Sequence, residues 1–171
     1  NVTPLTNTIA DTVKLKLNIL RDSSGNVDIV NNDITKIIDD VRSNVASIFS
    51  IPKIDLYSNY ARDAKKLVAK KSMMMITVVK CIKILLNVSC GTNYTENYVF
   101  ERLSEQLENV NTFDLTNVIY IQSIIYNIIN TNSLTLDSNC IVNISLLISN
   151  ICSRIFNISS LESIELSLIH I

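Results

Sequence analysis

Two glycines and two prolines are all that punctuate this 171-residue chain, and that scarcity limits its fold more than any other feature. Strand-and-turn architectures need such residues at their turns, whereas long helices need few interruptions. The apolar side chains must therefore be organised in long helical elements. Isoleucine, with 27 copies, is β-branched and argues locally for strands. Residues 134–136 and 164–169 do alternate in strand fashion. Over longer windows, three- and four-residue spacing fits better. The expected class is all-α, a single domain over residues 1–171 with seven to eight helices.

The helices can be placed in turn. Thr3 followed by Pro4 is a cap with proline at the first helical position, and Leu5, Ile9, Val13 and Leu17 mark one face. A loop at 22–26 precedes a second helix from Val27 to the region of Pro52, which disfavours helix before it. A third helix is expected over 54–71. The fourth, opening on Met73 and closing on Cys90, is apolar nearly all round, the mark of a central core helix. Gly91 supplies its stop.

Asn93 and Glu96 have capping-box spacing and open a fifth helix. Asp114 caps a sixth, and Asp137 or Ser138 starts a seventh that carries Ile141, Ile144, Ile148 and Ile155. Ser159 or Ser160 opens a short eighth. No fixed-period repeat and no linker divides the chain.

Catalytic chemistry is poorly supplied. The single histidine, His170, is the penultimate residue, where a base would have to be locked into a cleft to serve a nucleophile. Asp39 and Asp40, and the series Glu101, Glu105 and Glu108, have the spacing of solvated helix faces. A glycine-rich phosphate loop cannot be built from Gly25 and Gly91 alone. Cys81, Cys90, Cys140 and Cys152 form no CxxC pair and read as small buried thiols, with one disulfide between helices as the lesser alternative. The chain is expected to be no enzyme and to need no cofactor or metal.

Five glycosylation sequons occur, about as many as chance gives with 21 asparagines and 31 serines plus threonines. No membrane span or signal peptide is expected, because Lys80 and Lys83 interrupt the most apolar stretch and are costly at mid-bilayer. Only 18% of residues are charged and the mean hydropathy is +0.28, so part of the apolar surface is expected to lie against a partner or another copy.

Charge is segregated by sign. Residues 53–83 carry eight basic and two acidic residues, a net of +6, and the remainder nets −7. Arg62, Lys66 and Lys70 share one helix face at four-residue spacing, broadened by Lys65 and Lys71. Such a face suits an acidic protein surface or phosphate. Without interleaved aromatics a nucleic-acid partner is not favoured. The bland alternative is a solvated face with snorkelling lysines.

The asparagine- and isoleucine-laden, glycine-poor composition resembles that of poxvirus proteins. Poxvirus core precursors are cut after Ala-Gly just before a small or polar residue, and a chain opening Asn1-Val2-Thr3 resembles a C-terminal processed piece of such a core precursor. That resemblance implies a virion core protein, in the host cytoplasm during assembly, packing with itself or with sibling virion proteins. The composition is also similar to the poxviral Bcl-2-like proteins, all-α domains wrapped around one apolar helix. This second likeness implies a module that binds host amphipathic helices, although the Asn-Trp-Gly-Arg pattern of the cellular family is missing.

Overall fold

The computed structural model describes residues 3–20, 33–57, 65–107 and 113–158. Among them are six α-helices, one 3-10 helix and no strand. Helix α1 spans Pro4–Ile19 and α2 Ile34–Ile48, with the 3-10 helix at Lys53–Tyr57. Helix α3 spans Lys66–Cys90, α4 Glu96–Leu107, α5 Val118–Thr131 and α6 Ser138–Asn157. The all-α class holds among the described residues, which form six of the seven to eight helices expected. The loop at 22–26, the start of the second helix at Val27 and the eighth helix lie outside the described residues.

Local chemistry explains the ends. Thr3 and Thr6 cap α1 reciprocally: the Thr3 hydroxyl accepts from the Thr6 amide at 3.2 Å and the Thr6 hydroxyl from the Thr3 amide at 2.7 Å. Asp33 caps α2 and Asp137 caps α6. Gly91 closes α3 at φ 64, a left-handed conformation that glycine adopts without Cβ strain. With so few glycines, two other helices close on serine. Ser50 and Ser133 sit at φ 54 and 52, and the next residues, Ile51 and Leu134, donate back to Ala46 and Ile129. Helix α2 therefore ends before Pro52 is reached.

Three expectations are corrected. The separate third and fourth helices are instead a 3-10 helix at Lys53–Tyr57 and one 25-residue α3 that takes in Lys66 to Lys71, because nothing around Ser72 breaks the backbone ladder. Asn93 does not cap α4. The Thr95 hydroxyl accepts the Tyr98 amide instead, while Asn87 of α3 grips the incoming strand of chain, bonding both the N–H and the carbonyl of Tyr94. Asp114 caps a turn at Thr116, and Asn117 is the cap of α5.

Helix α3 is the centre, as its composition implies. Met73, Met74, Met75, Val78, Ile82 and Leu86 are buried, and it packs on α1, α4 and α6. All six helices feed one hydrophobic core. By length and composition alone, α3 and α6 could also cross a membrane, at mean hydropathies of 1.8 and 1.4. Half of that stretch is buried in the bundle for α3, but only 33% for α6. Helix α6 buries Ile141, Ile148, Cys152 and Ile155 and leaves Val142, Leu146, Leu147 and Phe156 partly exposed.

Candidate functional site

Helices α3 and α6 run antiparallel, so the basic start of α3 meets the C-terminal end of α6. Lys70 of α3 donates to the Phe156 carbonyl at 2.5 Å, and the Met74 carbonyl faces the Cys152 thiol one turn on, at 3.9 Å. At the far end the Cys90 thiol reaches the Thr135 carbonyl at 3.8 Å.

The expected basic face is largely turned to internal work. Lys70 and Lys71 both approach the Phe156 ring, at 5.6 and 5.7 Å from its centroid. Cations beside the last carbonyls of a helix are favoured by its dipole, and by an aromatic face. Lys65 pairs with Asp55 of the 3-10 helix at 2.8 Å. Lys66 is exposed on the first turn of α3. Arg62 lies outside the described residues. The structure therefore brings together Lys70 and Lys71 around one aromatic ring and directs Lys65 elsewhere.

Lys71 lines a cleft of about 310 Å³ together with Ser50, Phe113, Asp114, Thr116 and Phe156. Loss of water there lowers the ammonium pKa, and the Asp114 carboxylate partly offsets this. Asp114 is already committed through Oδ1 to the amide and hydroxyl of Thr116, at 2.9 and 2.6 Å. The cleft thus presents one cation, one carboxylate and two aromatic rings, and among its lining residues no histidine or cysteine accompanies the hydroxyls. Among the described residues, no group of three or more His, Cys, Asp or Glu could hold a metal ion. The four cysteines are free thiols.

Charge reversal at Lys70 tests this internal role. Lys70→Glu should lower stability by about 1–2 kcal/mol, because it sets a carboxylate against the C-terminal carbonyls of α6. Urea denaturation measures it, and an unchanged midpoint would return Lys70 to plain solvation.

A second surface was not legible as a site in the sequence. On the outer face of α6, Val142, Leu146 and Leu147 are 39%, 44% and 51% exposed. Ile84 and Val88 of α3 are exposed too. Between the helices lies a cleft of about 460 Å³ lined by Leu85, Cys140, Asn143, Ile144 and Leu147. From Ser138 to Ser153 helix α6 carries no charged residue. Exposed apolar side chains on either side of a central row of amides, Asn143 and Asn150, are a docking surface in physical character. Compared with family models, curated proteins and solved structures, the chain matches none. What the fold and its surfaces define is a helical bundle with one long helix left half-covered.

Proposed function

We propose that this chain is a non-enzymatic structural protein that packs with copies of itself or with sibling proteins, in the setting of a virion core. The single observation that carries the reading is the exposed apolar face of α6. Exposed apolar area of this kind lowers its free energy by leaving water against another protein surface. The poxvirus-like composition supports the virion setting, and the host cytoplasm is then the place of assembly. The basic residues at the start of α3 are a secondary contact in this reading, with Lys66 on the exposed side.

Sedimentation and light scattering across a concentration series test the proposal. Reversible self-association, or a protein partner retained through purification, is the expected result. A strict monomer at millimolar concentration with no retained partner would refute it. The cleft between α3 and α6 also favours a second reading, a Bcl-2-like module that seats a host amphipathic helix. Saturable binding of labelled amphipathic helices by a monomeric chain would put that reading in first place.

A further inference from the structure

We infer that Cys90 and Cys140 are a disulfide-forming pair: oxidation by a small disulfide such as oxidised glutathione ties the end of α3 to the first turn of α6. The link lies within one chain and forms in a monomer, so it stands whether or not the chain self-associates.

Register brings the two thiols to one end of the bundle. Across α3 and α6, Lys70 meets Phe156 and Met74 meets Cys152. Continued along the antiparallel pair, the same register sets position 140 against position 86, one turn short of Cys90. Two contacts agree with it. The Cys90 thiol reaches the Thr135 carbonyl at 3.8 Å, in the segment that leads into α6, and Cys140 lines a cleft with Leu85 of α3. Cys90 also continues the stripe of Ile82 and Leu86, both fully buried, at four-residue spacing. The two sulfurs feel each other's charge. Burial first, and the Cys140 thiol second, raise the Cys90 thiol above its ordinary value.

Position along the helices decides which thiols can join. One helical turn is about 5.4 Å, and a disulfide needs Cα atoms about 4.4–6.8 Å apart, so the two ends must draw together. Both partners stand where the backbone can yield. Cys90 is the last residue of α3, with Gly91 after it, and Cys140 lies in the first turn of α6. Cys81 and Cys152 have no such freedom. Cys152 sits opposite Met74, about 10 Å along α3 from Cys81, and both are held inside long helices. Cys90 and Cys140 are half-buried and open to a small reagent, whereas Cys152 is fully buried.

The exchange balances with glutathione disulfide alone as the oxidant. The thiolate of one cysteine attacks a glutathione sulfur, the glutathione S–S bond breaks, and a mixed disulfide forms as one glutathione thiolate leaves. The second cysteine thiolate then attacks the protein sulfur of that mixed disulfide, which makes the Cys90–Cys140 bond and releases the other glutathione. The two thiol protons end on the two glutathiones. The protein loses two electrons and the glutathione disulfide gains them.

Closure has two mechanical results. It encloses residues 91–139, and with them α4 and α5, in a covalent loop of roughly 50 residues that restricts the unfolded chain. It also draws the Cys140 wall of the cleft toward α3, so the cleft narrows on oxidation.

The full chain, held dilute to disfavour links between copies, can be exchanged against mixtures of reduced and oxidised glutathione and mapped by mass spectrometry without reduction. The expected product is a monomer with the Cys90 and Cys140 peptides joined, in which Cys81 and Cys152 still take up an alkylating reagent on unfolding. Its thermal midpoint should lie roughly 5–10 °C above that of the reduced chain, a gain that dithiothreitol removes. Cys90→Ser and Cys140→Ser should each lose the gain, whereas Cys81→Ser should keep it. Thiols that stay free in the most oxidising mixture, stable glutathione adducts at both residues, or Cys90 joined to another cysteine overturn the inference. A Cys90–Cys140 link that forms only in denaturant overturns it as well, since the folded register then plays no part. A linked chain that melts no higher than the reduced one overturns closure within the native fold.

Discussion

Phe49→Ala is expected to lower the unfolding free energy by about 3–5 kcal/mol, the range for deleting a buried aromatic ring. Phe49 caps the end of α2 and is fully buried. Its ring lies 5.1 Å from Phe113, whose own ring meets Tyr120 edge-on at 5.3 Å. The Phe113 amide donates to the Ile48 carbonyl at 3.3 Å. This junction is what ties the end of α2 to the approach to α5, across more than sixty residues of chain. Removing the ring leaves a void and deprives Phe113 of its neighbour, so the loss includes a cavity term as well as transfer. Domains of this size are stable by only about 5–15 kcal/mol in all. Urea denaturation should therefore show a large fall in midpoint with little change in slope. Phe156→Ala is the control. That ring is 46% exposed, and its loss should cost about 1 kcal/mol or less. Equal effects at the two positions would refute the junction.

The fold was legible where the signal was local and strong. Thr3-Pro4, Asp137 and Gly91 are capping or stop residues whose partners lie within a turn, and each acts as its type implies. The central helix declared itself because it is apolar on every side. Structure departs from local sequence signals where distant residues set the outcome. Asn93 has the right spacing for a cap, but Asn87 holds residues 92–94 out of the helix, so the cap passes to Thr95. Asp114 and Asn117 are both good cap types; Asp114, between buried Phe113 and Leu115, closes a turn on Thr116, and Asn117 caps the helix. The split at residue 72 followed a change of composition from charged to apolar. Composition governs which face is buried, not whether the backbone continues.

The candidate site was legible by half. The lysines of α3 stand out by charge, but Phe156, which gathers two of them, is some 85 residues away and carries no sign of it. The exposed face of α6 was hidden by its own apolarity, since an uncharged isoleucine-rich stretch reads as core. A signal was present: Asn143, Asn150 and Asn157 recur every seven residues, and such a polar row on an apolar helix marks the side that the core does not cover.

Alkaline pH should remove stability in a defined window. Cys152 is fully buried between α6 and α3, and burial pushes its thiol from 9.0 up to about 12. Its Sγ–H points to the Met74 carbonyl, a contact open only to the protonated form. The unfolded chain releases this proton near 9.0, whereas the folded chain holds it until about 12. The stabilisation is thus complete below pH 9, shrinks as pH rises, and is gone above the folded value, a loss of about 4 kcal/mol at full extent. Tyr120 adds to it between 10.0 and about 12, since its hydroxyl is raised by the same desolvation and is buried with no hydrogen-bond partner. Lys71 works the other way, because its lowered pKa makes the folded chain release a proton first. The thiol is isolated by comparison with Cys152→Ala, whose urea midpoint should start lower at pH 8 and fall less steeply toward pH 11.5. Parallel curves for parent and variant would show that Cys152 does not control the alkaline limb.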